Sequence, residues 1–299
     1  MADRAFERTY RDVPDELVES LKAFREAHPP QTITVEAERV EQVTWTYVTG
    51  GEGEATILFL HSVPTTWDTY FLQIAALEAD YRVVVPAIPA VPTMKEISDG
   101  LAAILDEVGV EQVHVYGVAF GGEIAQAFVR HYPERVASLI LSHTLPPGKR
   151  GAEDATEQRH AIRSRPEFLF ETMSVRARMT ELSNDIPAFR PDEQAFWEAY
   201  FTELYPARVD KETIMGRYEA AIDYHTAYEF EKDGPEGWDG RVLIVESARD
   251  DTMRETDKAA LRALYPGAAV HTVAEYGHTG MIARVDEYVG PVRDFLAGR

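Results

Sequence analysis

Two side chains stand out as able to do chemistry together. Asp250 lies in Ser247-Ala248-Arg249-Asp250-Asp251, directly after the apolar run Val242–Val245, and His278 lies in Glu275-Tyr276-Gly277-His278-Thr279-Gly280, after Ala269–Val273. An aspartate that holds an imidazole in one tautomer and stabilises the imidazolium makes that histidine a general base. Asp250 is the first candidate for that role and Asp251 the second. Such a base ordinarily activates a nucleophile on an earlier turn. The stretch Tyr116-Gly117-Val118-Ala119-Phe120-Gly121-Gly122 supplies the turn: it follows the apolar run Gln112–Tyr116 and precedes the helically spaced Glu123–Val129. Strand, tight glycine turn and helix form the context of a G-x-S-x-G nucleophile elbow. The central residue here is Ala119, whose methyl group cannot attack a carbonyl, so an acyl-enzyme on this residue is closed.

An oxyanion hole needs backbone amides, which no side-chain replacement removes. The first would come from Phe120, after the elbow, and the second from Val63, in the loop His61-Ser62-Val63-Pro64 that follows the first core strand. His61, Ser62, Trp67 and His143 stand near these loops in the sequence and are expected to line the substrate pocket.

The elements that must position these residues alternate. Thr32–Val35 and Val43–Val48 read as strands by their period of two, and Thr56–Leu60 as a strand buried on both faces. Helices are expected over Asp15 onward (with Asp12 as a cap candidate and Pro14 near the first turn), Asp68–Leu77, Met94–Val108, Arg254–Tyr265 and Val285–Leu296, and strands at Arg82–Val85 and Ser138–Leu141. Short connections between alternating elements predict an α/β fold: a mostly parallel, twisted sheet flanked by helices. From about Thr144 to Gly240 no strand run appears, and the segment is rich in charge and aromatics such as Phe168, Phe170, Trp197, Tyr200, Phe201, Tyr205, Tyr218, Tyr224 and Tyr228. It is expected to be a helical cap inserted after the sixth core strand, with most of these rings in its core. The expected organisation is therefore residues 1–143 as core with an N-terminal helical extension, 144–240 as cap and 241–299 as the rest of the core.

Bulk properties exclude several classes of function. A net charge of −21 argues against nucleic acid or an anionic membrane as partner. The absence of cysteine removes disulfides, thiolate metal sites and a cysteine nucleophile. The charged N-terminus, Met1–Arg8, lacks the apolar core of a signal peptide, and no apolar run could span a bilayer, so a cytoplasmic protein is expected. No phosphate-binding glycine loop and no metal-ligand spacing is present, so neither cofactor nor metal is expected. A small-molecule substrate is the expected partner, and a homo-oligomer is left open.

With these motifs in order, the chain resembles the α/β-hydrolase superfamily over roughly residues 41 to 299. The resemblance rests on Leu60-His61 through Pro64, the elbow, Tyr132-Pro133-Glu134-Arg135-Val136, the Asp250 loop and Gly277-His278. Phe71-Leu72-Gln73-Ile74, the start of the helix at Ile97–Gly100 and Ala260–Pro266 are similar to maspardin-like members. Two positions depart from the family pattern: His61-Ser62 stands where the family has His-Gly, and Ala119 where it has the elbow serine. The resemblance implies a cofactor-independent esterase-like enzyme acting on a small apolar or aromatic carbonyl, ester or thioester substrate. The leading reading is a serine hydrolase inactivated by Ser-to-Ala replacement. One alternative is an enzyme that uses the His278–Asp250 dyad without serine, as a lyase, cyclase or cofactor-free oxygenase. The other is a non-catalytic binding protein on the same fold, as some maspardin-like relatives are thought to be.

Overall fold

The computed structural model describes residues 2–37, 42–228 and 238–298. In chain order the helices are α1 (Ala2–Thr9), α2 (Asp15–Ala27), α3 (Phe71–Leu77), α4 (Met94–Glu107), α5 (Phe120–His131), α6 (Lys149–Ser164), α7 (Glu167–Asp185), α8 (Pro191–Leu204), α9 (Lys211–Ala227), α10 (Glu255–Leu264) and α11 (Val285–Leu296). The strands are β1 (Gln31–Glu36), β2 (Gln42–Gly50), β3 (Thr56–Leu60), β4 (Arg82–Ala87), β5 (Val113–Val118), β6 (Val136–Ser142), β7 (Arg241–Ser247) and β8 (Ala269–Val273). Among the described residues these strands form one sheet in the order β1-β2-β4-β3-β5-β6-β7-β8. The β1–β2 and β2–β4 pairs are antiparallel and the rest parallel. This is the α/β-hydrolase fold anticipated above.

Position in the sheet explains the composition of each strand. Every residue of β3 is buried, because helices cover both faces of a central parallel strand. The edge strands β1 and β8 expose most of their residues, and β1 carries the polar alternation of a half-covered edge. Helix α5 lies against the sheet with every residue from Phe120 to Val129 buried, which is why its sequence is apolar around most of its circumference.

Two expectations are corrected in detail, and one helix has no local signal. The segment expected as one helix from Asp68 begins as a 3₁₀ turn, Trp67–Tyr70, which turns these four residues inward before α3 starts at Phe71. Helix α2 starts at Asp15 behind Pro14, with no side-chain cap, so Asp12 does not cap it. The short α1 carries too few apolar residues to signal itself, and its Phe6 packs against Tyr10 with ring centroids 4.5 Å apart.

Between β6 and β7 the described chain is helical, α6 to α9; residues 229–237, the end of the expected cap, lie outside the described residues, as do 38–41. Phe170, Trp197, Tyr200, Phe201, Tyr205 and Tyr224 are buried, whereas Phe168 is 83% exposed and departs from the expectation. Helix α8 joins this layer to the N-terminal helices through Asp68. One carboxylate oxygen of Asp68 accepts from Arg25 at 2.7 Å and from Arg208 at 2.5 Å, and the other accepts from the Tyr200 hydroxyl at 2.7 Å. Burial alone would raise the Asp68 carboxyl, but the two guanidinium groups outweigh it and hold the group below its ordinary range.

Candidate active site

The turn between β5 and α5 holds Ala119 at φ 50°, ψ −113°, a conformation that costs a non-glycine residue about 1–3 kcal/mol. The backbone around it explains the two glycines. A Cβ on Gly117 would come within 2.3 Å of the Gly121 carbonyl oxygen, and one on Gly121 within 2.0 Å of that of Leu60. The turn is therefore a close crossing of strand and helix, and it presents the methyl group of Ala119 to a cavity of about 480 Å³.

Asp250, Asp251 and His278 reach the same region from the ends of β7 and β8. The Nδ1–H of His278 donates to Asp250 Oδ2 at 2.8 Å, leaving Nε2 without its proton. Asp250 Oδ1 in turn accepts from the backbone amides of Thr252 and Met253, each at 2.9 Å. Burial opposes ionisation of Asp250, but the attraction of His278 and these hydrogen bonds prevail, lowering the carboxyl to about 2. Burial likewise works against the imidazolium of His278, and the neighbouring carboxylate overcomes it, so His278 titrates above its ordinary value. Asp251 is exposed and lies on the cavity rim, so the geometry pairs Asp250 with the histidine.

The two expected oxyanion residues, Val63 and Phe120, both line the cavity together with Ala119 and His278. Phe120 opens α5, where a backbone N–H has no intrahelical acceptor. The loop carrying Val63 is fixed by a residue that sequence reasoning missed. Arg217 of α9 is wholly enclosed and donates to the carbonyls of Val63 at 2.7 Å, Thr65 at 2.8 Å and Ile88 at 2.7 Å. Burial, only partly offset by Tyr205 and the Asp210 carboxylate, lowers Arg217 to about 9, so it remains a cation at neutral pH.

Of the four expected pocket residues, Ser62 and His143 line the cavity and His61 and Trp67 do not. His61 is fully buried and bridges backbone: its Nδ1–H donates to the Ser62 carbonyl at 2.8 Å, and its Nε2 accepts from the Ile88 amide at 3.0 Å. Burial, reinforced by the Arg217 charge, holds it neutral. Trp67 turns into the core against Phe24, with ring centroids 6.0 Å apart, because the 3₁₀ turn points it away from the cavity. Tyr70, at the end of that turn, lines the cavity instead and donates to Ser62 Oγ at 3.2 Å. His143 adopts φ 51° at the end of β6 and is held between the hydroxyls of Ser142 and Ser247, each at 2.8 Å. Burial and the facing His278 lower it to about 3, so it is a neutral wall standing edge-on to the His278 ring at 5.5 Å.

Asp185, the last residue of α7, was also missed by sequence reasoning. Its carboxylate accepts from the Thr279 amide at 2.8 Å and the Thr279 hydroxyl at 2.6 Å, and its carbonyl accepts from the Gly277 amide at 2.8 Å. Both neighbours of His278 are thus held by one residue from the helices above the sheet. No local signal marks Asp185 or Arg217, because each acts through backbone groups far away in sequence. Among the described residues no group of three or more His, Asp or Glu side chains is arranged to hold a metal ion, and no helix is long and apolar enough to cross a membrane.

A family model described as alpha/beta hydrolase fold matches residues 55–284. Maspardin of Rattus norvegicus is 33% identical over 123 residues, covering 40% of this chain and 46% of that protein. Maspardin of Homo sapiens is 37% identical over 91 residues, covering 29% and 30%. The match thus spans less than half the length of these relatives. An esterase structure from Thermogutta terrifontis superposes with a TM-score of 0.70 at 17% identity, covering 90% of this chain and 98% of that one. An enol-lactonase from Burkholderia xenovorans LB400 gives 0.69 at 18% identity, covering 89% and 100%. At these identities the two structures show a shared fold.

Proposed function

This chain belongs to the α/β-hydrolase fold family, and on that premise we propose that its cavity takes a small ester, thioester or related carbonyl compound and sets it for acyl transfer, with the nucleophile position occupied by Ala119. The observation that carries this reading is the 2.8 Å hydrogen bond from His278 to Asp250 at the wall of the cavity that Ala119 faces. A protein that only binds ligands has no use for an imidazole whose tautomer is fixed and whose proton affinity is raised. In this reading Asp250 orients His278 and stabilises its charged form, and His278 Nε2 is the proton acceptor. The amides of Phe120 and Val63 receive the oxygen on which negative charge develops. Ala119 offers no atom to form an acyl-enzyme, so the chain binds and polarises the carbonyl but is closed to the covalent route.

The test is to supply the missing atom. Ala119→Ser is treated with a fluorophosphonate, which reacts with a serine activated by a base and an oxyanion hole, and is read by intact mass and peptide mapping. The expected result is stoichiometric label at position 119, abolished when His278→Ala is added. A folded variant that takes no label overturns the acyl-transfer reading. The dyad would then act on substrate directly by proton transfer, as in a lyase, cyclase or cofactor-free oxygenase.

A further inference from the structure

Helix α7 turns one row of residues inward: Phe170, Ser174 and Leu182 are buried, and Arg178 stands in the same i, i+4 series. A guanidinium in such a row is expected to be fully paired. Arg178 is not. Its Nη2 donates to Glu181, one turn on along the same helix, and among the described residues Nε and Nη1 have no acceptor. Neither atom is sealed in protein. The side chain keeps 24% of its surface, and that surface belongs to the cavity that holds Ala119 and His278, which Arg178 lines. Tyr218 of α9 lines the same cavity, and its hydroxyl likewise has no partner among the described residues and is not sealed. The two groups are neighbours. Burial raises the hydroxyls of Tyr70, Tyr205 and Tyr218, and the charge of Arg178 pulls each of them back. The Tyr70 hydroxyl donates to Ser62 Oγ and that of Tyr205 to the Pro64 carbonyl, so Arg178 stands beside the loop that carries Val63.

The chemistry of these atoms selects the ligand. Arginine only donates, and a tyrosine hydroxyl donates as well as accepts, so the two together call for an oxygen acceptor. Donors with open surface in a cavity hold water, and a ligand group that displaces it without replacing its hydrogen bonds loses affinity. An alkyl group is therefore penalised here. Charge decides between a carboxylate and a neutral oxygen. The guanidinium already faces Glu181, and Glu123, Asp154, Glu157, Asp185 and Asp251 line the same cavity with no second arginine or lysine. Glu123 accepts from His225 at 3.2 Å and Asp185 from Thr279, so both keep to their own partners, but their charge still opposes an entering anion. We propose that Arg178 and Tyr218 form a subsite for a second, uncharged oxygen acceptor of the substrate. The inference rests on the cavity being the substrate site. It narrows the class to neutral compounds with a carbonyl for the oxyanion amides and a further carbonyl or hydroxyl oxygen beyond it, such as keto esters and hydroxy esters.

The test titrates the unmodified chain with ethyl pentanoate, ethyl 3-oxopentanoate, ethyl 4-oxopentanoate and monoethyl succinate at pH 7, followed by ligand-observed NMR. At least one keto ester is expected to bind about tenfold more tightly than ethyl pentanoate, the gain of a hydrogen bond to a charged donor. The monoethyl succinate anion should bind more weakly than that keto ester. Arg178→Met removes the guanidinium and should abolish the preference while leaving ethyl pentanoate unchanged. Tyr218→Phe removes one donor with little change of shape; it should reduce the preference several-fold, and it carries the test if Arg178→Met does not fold. Equal binding of the three neutral esters is what water retained on these donors would give, and it overturns the subsite. So does a preference that survives the variant carrying the test, or no binding of any neutral ester in the millimolar range. Tightest binding of monoethyl succinate overturns the choice of an uncharged oxygen. Fluorophosphonate labelling of Ala119→Ser reports separately on the acyl-transfer site. Label without the keto preference removes the subsite alone, and preference without label removes the acyl-transfer reading alone.

Discussion

Replacing Asp250 by Asn tests the electrostatic centre of the site. The side chain keeps its shape, and its oxygen can still accept from the amides of Thr252 and Met253, but the charge facing His278 is gone. Asp250 is lowered from 3.8 to about 2, which corresponds to about 2 kcal/mol favouring its ionised form in the folded chain. Because burial acts in the opposite direction, the attraction to His278 and the hydrogen bonds together exceed that net figure. The depressed carboxyl contributes stability that is fully present above about pH 4 and is lost as pH falls toward 2. The partner has the opposite sign. His278 is raised, so its protonated form adds stability below its unfolded value near 6.5, and this is lost as pH rises through the folded value. In Asp250→Asn the carboxylate no longer offsets burial, so the His278 midpoint should fall from above 6.5 to below it. NMR titration of the imidazole Cε1–H, assigned with His278→Gln, reads this directly. Urea unfolding at pH 7 should show a loss of about 2 kcal/mol. A His278 midpoint that stays above 6.5 in Asp250→Asn would refute the pairing as the source of its raised proton affinity.

Ala119→Gly should stabilise the chain. Relief of a left-handed conformation worth about 1–3 kcal/mol outweighs the roughly 0.5–1 kcal/mol entropic cost of glycine, and a urea midpoint below that of the parent would contradict the strain at this turn. Arg217→Ala leaves the carbonyls of Val63, Thr65 and Ile88 without their buried donor. It is expected to cost about 3 kcal/mol or more by denaturant titration, and, combined with Ala119→Ser, to slow fluorophosphonate labelling by loosening the Val63 loop; labelling at an unchanged rate would show that the loop holds itself.

What could be read in the sequence was what local pattern encodes. The apolar run Ile57–Leu60 of β3, the alternating β1, the glycine turn around Ala119 and the order of Asp250 before His278 each follow from short-range rules of burial, period and turn chemistry, and together they give the fold and the positions of the dyad. Sequence neighbourhood misled where a side chain could turn either way: Trp67 and His61 stand beside the oxyanion loop in the chain, yet one points into the core and the other is consumed by backbone hydrogen bonds. Only the tertiary structure supplied Asp185 beside Thr279, Arg217 beneath Val63 and His225 beside Glu123. These contacts join residues 94 to 154 positions apart, and hydrogen bonds to backbone groups leave no pattern in side-chain type. The sequence by itself determined which chemistry is absent at position 119; the packing of α7 and α9 over the sheet decided what surrounds that position.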